Sequence, residues 1–175
     1  LRILYNDGFN YCIDNLKLLP KQRLELEKII NKNTGLVIVN GPTGSGKSTT
    51  LYTILNYVNK SEVNVVTLED PVEVIINGVN QMMVNSKEGV SFANGLRSIM
   101  RQDPDVIMVG EVRDEETAVM AVRAALTGHK VYTTIHSTEP REVYLRLEEM
   151  GIKSYLIRES LVGIISQRLI KMLCD

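Results

Sequence analysis

Four short apolar runs, rich in β-branched residues, restrict what this chain can fold into. They are "LVIVN" from Leu36, "VNVVTLED" from Val63, "DVIMVGE" from Asp105 and "KVYTTIH" from Lys130. The first and third are continuous rather than alternating, which is the pattern of strands buried on both faces. Such strands belong to a parallel sheet covered by helices. The stretches between them supply the helices. "STTLYTILNYVNK" carries Leu51, Ile54, Leu55 and Val58 on one stripe. "SFANGLRSIMRQ" reads as a helix despite Gly95. "RDEETAVMAVRAALTG" has acids in its first turns and Gly128 as a stop, as the helix dipole and C-cap favour. Strands alternating with helices predict an α/β fold, a mostly parallel sheet with helices on both faces.

The remaining segments are placed by local signals. Residues 1–19 read as short strand, turn at Asn6-Asp7-Gly8, short strand. Pro20 opens a helix over "KQRLELEKIINK", with Leu24, Ile29 and Ile30 as its apolar positions. "PVEVIINGVNQMMVN" predicts a β-hairpin insertion turning at Asn77-Gly78. "EPREVYLRLEEMG" and "YLIRESLVGIISQRLIKML" predict helices. The 175 residues suit one domain, and the chain opens at Leu1 on strand-like text, which predicts a fragment with an N-terminal neighbour. The 20 basic and 21 acidic residues leave a net charge of −1, so there is no field for non-specific binding to DNA or anionic membrane. No apolar run approaches the roughly 20 residues that span a bilayer. Two cysteines, Cys12 and Cys174, make no disulfide framework.

Between the first strand and its helix lies "GPTGSGKST", residues 41–49. It satisfies G-x-x-x-x-G-K-[ST] through Gly41, Gly46, Lys47 and Ser48. Glycines let backbone N–H groups turn inward around an anion. The helix that follows aims its free N–H groups at the same anion. Lys47 reaches the β- and γ-phosphates, and the Ser48 hydroxyl is a Mg²⁺ ligand. Gly41, Pro42, Thr43, Gly44, Ser45, Gly46, Lys47, Ser48 and Thr49 are therefore the expected nucleotide-binding residues, with ATP and Mg²⁺ as the ligands. Hydrolysis also needs acids near the metal and the attacking water. Strands of this architecture end at one common edge. Glu69 and Asp70 close one strand there, Glu111 a second and His136 a third.

Taken together, these segments resemble the secretion-superfamily ATPases that drive type II secretion and type IV pilus assembly. "NGPTGSGKSTTLYTIL" is similar to their Walker A segment, "TLEDPVE" to their Asp box, "LRSIMRQDPDVIMVGEVRDEETA" to their Walker B segment and "ALTGHKVYTTIHS" to their His box. "ISQRLIKMLC" is similar to the segment that follows. The resemblance covers about residues 35–174 and implies a RecA-like C-terminal ATPase domain. It implies that Glu69 activates water, that Glu111 supports Mg²⁺, directly or through water, and that His136 senses the γ-phosphate. Catalytic roles thus fall to Glu69, Glu111 and His136, and metal roles to Ser48 and Glu111. It further implies a homo-hexamer, peripheral at the cytoplasmic face of the inner membrane, working with the platform protein of a pilus or secretion machine and with no nucleic acid. Arg97, Arg101 and Arg113 read as surface or structural ion pairs. Cys174 sits where many assembly-type members begin a four-cysteine zinc element, and "HSTEP" departs from the commoner "HTNDA" after the His box.

RecA-like cores also serve nucleic-acid translocases and helicases, the rival reading. Such motors want a basic groove and stacking rings, whereas aromatics make up 5% of this chain.

Overall fold

The computed structural model describes residues 11–85 and 90–171. A 3₁₀ turn at Ile13–Leu16 leads into α1 (Pro20–Ile30), β1 (Gly35–Asn40) and α2 (Lys47–Val58). Then come β2 (Val65–Glu69), β3 (Asn80–Met83), α3 (Phe92–Ile99), β4 (Val106–Val109), α4 (Glu115–Leu126) and β5 (Lys130–Ile135). The described chain closes with α5 (Pro140–Glu149), α6 (Ser154–Ser160) and β6 (Leu161–Ser166). The sheet order is β3-β2-β4-β5-β1-β6, and every pairing is parallel. All residues of β1, β2, β4 and β5 are buried, as continuous apolar runs require.

The inner strands divide their side chains between two cores. Val37, Val39 and Tyr132 face one, filled by Leu26 and Ile30 of α1 and by Leu51, Ile54 and Leu55 of α2. Leu36, Ile38 and Val131 face the other, filled by Leu96 and Ile99 of α3 and by Ala121 and Ala125 of α4. Of the apolar positions expected on α1, Ile30 is buried, but Leu24 is exposed and Leu26 takes its place. The start and stop signals of α4 act as expected. Asp114 caps it by accepting from the Thr117 N–H at 2.8 Å, and Gly128 follows it at φ 102°.

Two expected elements are different, and one is replaced. There is no hairpin at Asn77-Gly78. The turn forms, with Gly78 at φ 82° and the Asn59 side chain donating to the Asn77 carbonyl at 2.8 Å. The chain after it, however, becomes β3, which runs parallel to β2 with Thr67 opposite Gln81. Residues 70–79 cannot be its antiparallel partner, because Gln81 spends its amide on them. Its Oε1 accepts from the Ile76 N–H at 2.7 Å and its Nε2 donates to the Val74 carbonyl at 2.9 Å. The last expected helix breaks after Ser160, and "LVGIIS" forms β6 along the free edge of β1. Val162, Ile164 and Ile165 are strand formers. A Cβ on Gly163 would lie 2.8 Å from the Ile29 side chain, so α1 packs directly on that edge. The short strand expected before Pro20 is the 3₁₀ turn, while the strand–turn text of residues 1–10 and Cys174 lie outside the described residues.

Lys130 opens β5 almost fully buried, with its Nζ donating to the Ile29 carbonyl at 2.7 Å. Burial, helped by Lys32, pulls its pKa down to about 8 from 10.5. The unfolded chain therefore binds the extra proton between these values, and stability rises with pH across that window. The penalty is fully present below pH 8 and fades as pH rises towards 10.5. Urea unfolding at a series of pH values is expected to show this rise between pH 8 and 10.5, and Lys130→Met should flatten it. An unchanged slope in the variant would assign the effect elsewhere.

Candidate functional site

The carboxyl ends of β1, β2, β4 and β5 converge on one cavity of about 700 Å³. Its floor is the loop after β1. Gly46 takes φ 84° as the N-cap of α2, so the helix starts at Lys47 with its first N–H groups facing the cavity mouth. Gly41 allows the tightest approach: a Cβ there would lie 2.4 Å from the Gln167 carbonyl and 2.6 Å from Ser45 Oγ. Lys47 Nζ folds back to donate to the carbonyls of Gly41 and Pro42, each at 2.9 Å. Burial lowers its pKa and the charge of Glu111 opposes that shift. Ser45 Oγ is buried and has no hydrogen-bond partner among the described residues.

Glu69 is the last residue of β2 and is 3% exposed. Its Oε1 accepts from Thr67 Oγ1 at 2.6 Å and Gln81 Nε2 at 3.0 Å, and its Oε2 accepts from Tyr52 Oη at 2.5 Å. Glu111 lies two residues beyond β4. The residue before it is pinned from both sides: the Gly110 N–H donates to the Leu68 carbonyl at 2.8 Å and Thr134 Oγ1 to the Gly110 carbonyl at 2.8 Å. Arg113 Nε is 2.5 Å from Glu111 Oε2, and His136 Nε2 is 3.6 Å from the same oxygen. Arg97 instead pairs with Glu116 on the surface, at 3.1 Å.

Thus Lys47, Ser48, Glu69, Glu111 and His136 share one cavity, together with Thr43, Gly44, Gly46 and Thr49 of the loop. Gly41 and Pro42 border a neighbouring recess against His136 and α5, and Ser45 is buried beneath the loop. Sequence reasoning missed Tyr52, Thr67 and Gln81 around Glu69, and it read Arg113 as a surface or structural ion pair. It also missed Gln167. That residue follows β6, donates from its backbone to the Asn40 carbonyl at 3.0 Å and from Nε2 to the Ser45 carbonyl at 2.6 Å. Asn40 in turn donates to Ser137 Oγ at 3.0 Å and accepts from Ser166 Oγ. The ends of β5, β1 and β6 are therefore stitched together behind the phosphate loop. Only the period-2 placement of Thr67 beside Glu69 was available as a signal.

Comparison with known proteins gives a consistent result. The family model described as Type II/IV secretion system protein matches residues 1–175. "Putative type II secretion system protein E" of Escherichia coli strain K12 is 48% identical over 174 residues, 99% of this chain and 35% of that protein. "Type IV pilus assembly ATPase PilB" of Acinetobacter baylyi is 48% identical over 175 residues, 100% of this chain and 30% of that protein. Among solved structures, the pilus retraction motor PilT with bound ADP superposes with a TM-score of 0.80 at 38% identity, covering 97% of this chain and 50% of that one. The chain therefore spans about a third of the curated relatives it matches. That structural likeness makes the fold a RecA-like P-loop fold. On sequence and fold together, the chain belongs to the type II/IV secretion system protein family.

Proposed function

We propose that this chain is the C-terminal ATPase domain of a hexameric motor, and that it hydrolyses MgATP to assemble pilin-like subunits in a type IV pilus or type II secretion machine. The observation that carries the reading is the meeting of Lys47, Glu69 and Glu111 in one cavity over a glycine loop. Gly46 and Thr49 line this cavity and also a second, largely apolar one of about 630 Å³ between α1, β6 and the loop. A nucleotide can thus lay its phosphates on one side of Gly46 and its base among Leu16, Leu26 and Ile164 on the other.

The residues fit the triphosphate and its metal. Lys47 is a cation whose present partners are two carbonyls, which phosphate oxygens would outcompete. The unpartnered Ser45 hydroxyl lies under the loop, available to a loop rearranged around phosphate. Mg²⁺ takes few protein ligands and keeps several waters, so Ser48 with Glu111, directly or through water, suffices. When bound, Mg²⁺ supplies charge neutralisation on the β- and γ-phosphate oxygens. Glu69 accepts the proton of the attacking water or orients it. Arg113 pairs with Glu111 Oε2 and the His136 ring lies 3.6 Å from the same oxygen, so both border the carboxylate at the cavity. His136 lines the same cavity, which supports reading it as the sensor of the γ-phosphate. The motor docks on an inner-membrane platform protein from the cytoplasm; among the described residues no helix is long and apolar enough to cross a membrane.

The test is phosphate release by the full chain with MgATP. Steady release with no phosphorylated acceptor is expected. No turnover in the assembled protein, or a stoichiometric phosphorylated product, would overturn the assignment.

A further inference from the structure

We infer that Tyr52 is a positioning residue for Glu69, fixing the carboxylate by a donated hydrogen bond and tying its place to the helix that starts at the phosphate loop. The inference rests on the reading of Glu69 as the water-activating acid.

Three donors hold this carboxylate. Thr67 Oγ1 and Gln81 Nε2 converge on Oε1, and Tyr52 Oη is the side-chain donor on Oε2. Two of them reach Glu69 from within the β2–β3 pair, where Thr67 stands opposite Gln81. Tyr52 is different, because it comes from α2, five residues after Lys47 and therefore about 7.5 Å along the same helix. With Oε1 fixed on one side and Oε2 on the other, the carboxyl plane cannot turn about its last torsion. One bond alone would leave that broad torsion free.

The direction of the Tyr52 proton is also set. The Glu73 N–H donates to the phenol oxygen at 3.3 Å, so the hydroxyl accepts there and gives its one proton to Glu69. Burial first, and the neighbouring carboxylate second, push the phenol pKa up, so it stays a donor across any working pH. The ring is 3% exposed and lies in the α1/α2 core, edge-on to Tyr11 with centroids 5.6 Å apart. Packing therefore fixes the hydroxyl, and the hydroxyl fixes the acid. A base must meet its proton within hydrogen-bond reach and at a good angle, so a loosened carboxylate slows chemistry more than binding. Since Glu69 touches no part of the phosphate loop through these bonds, nucleotide affinity should be spared.

Tyr52→Phe keeps the ring and removes the bond. In the full chain, we expect kcat to fall about 10-fold with KM and MgATP affinity within about 2-fold of wild type. We also expect no further loss when Tyr52→Phe is added to Glu69→Gln, because Tyr52 acts through that acid. A loss carried by KM, or a full second loss in the Glu69→Gln background, would overturn the inference and return Tyr52 to core packing. Wild-type kcat in Tyr52→Phe beside an inactive Glu69→Gln would overturn it while leaving the proposed function standing. Wild-type kcat in Glu69→Gln itself would instead remove the reading of Glu69, and the inference with it. Should Tyr52→Phe fail to fold by circular dichroism, Thr67→Val decides: it removes another donor with little change of shape, a fall of about 3-fold in kcat is expected, and an unchanged kcat overturns the clamp.

Discussion

Lys47→Ala is expected to reduce MgATP affinity by about 100-fold or more and to leave no measurable turnover. The ammonium group is the one side-chain cation built into the glycine loop, and charge-assisted bonds of this kind contribute roughly 1.5–3 kcal/mol each. Two bonds to phosphate oxygens at that strength correspond to about 10²–10⁴ in affinity. The variant also takes away the donor that the Gly41 and Pro42 carbonyls share, so the empty loop loses the bonds that keep its coil closed. Arginine is no substitute, because a planar fork cannot sit between two carbonyls and then swing to phosphate as a point charge does. Isothermal calorimetry gives the answer directly, and near-normal affinity in Lys47→Ala would remove the loop from the site.

Glu111→Gln is expected to bind MgATP and to hydrolyse it at least about 100-fold more slowly, the scale on which one preorganised electrostatic group is felt. The amide retains the shape that Arg113 and His136 pack against but drops the charge that faces Lys47. Glu69→Gln should give a loss of the same order by a different route. Its amide oxygen can keep the Oε1 place, where Thr67 and Gln81 donate, and its amide nitrogen then faces Tyr52 Oη, so the side chain is housed less well and can no longer take a proton. Single-turnover phosphate release beside a binding isotherm separates the two steps. Wild-type rates in both variants would mean that the chemistry happens elsewhere.

The parts of this molecule that were readable in the sequence are those fixed by short-range rules. β1 and β4 are non-alternating because both of their faces are covered, and their apolar runs say so without any partner in view. The loop and helix after β1 follow from glycine spacing, and α4 from its cap and its stop. What escaped was decided across long distances. "LVGIIS" carries helical neighbours and a glycine, and it becomes a strand because the edge of β1, on the far side of the chain, is open to it. β3 was mistaken for half of a hairpin because an Asn-Gly turn does precede it, yet Gln81 turns its side chain back onto Val74 and Ile76. The site divides in the same way. Its acids and lysine sit at strand ends and in a motif, so they were legible. Tyr52, Gln81 and Gln167 act through partners 17, 12 and 122 residues away, and no local pattern marks such pairs.

β1 has a further bearing on how the molecule is made. It lies between β5 and β6, and the bond from Ser166 to Asn40 joins residues 126 apart. At synthesis rates of about 5–20 residues per second, roughly 6–25 s separate the emergence of the two partners. Until β5 emerges the nascent chain holds a run of aliphatic residues with neither edge hydrogen-bonded, and until β6 emerges one edge stays open and the glycine loop has no Gln167 to brace it. Parallel pairing of this kind is slow because the closure of long loops comes before any contact is gained. The glycine loop thus precedes in synthesis the strand that braces it, and a ribosome stalled before residue 161 presents a chain that carries the whole motif but lacks the edge strand against which it is shaped.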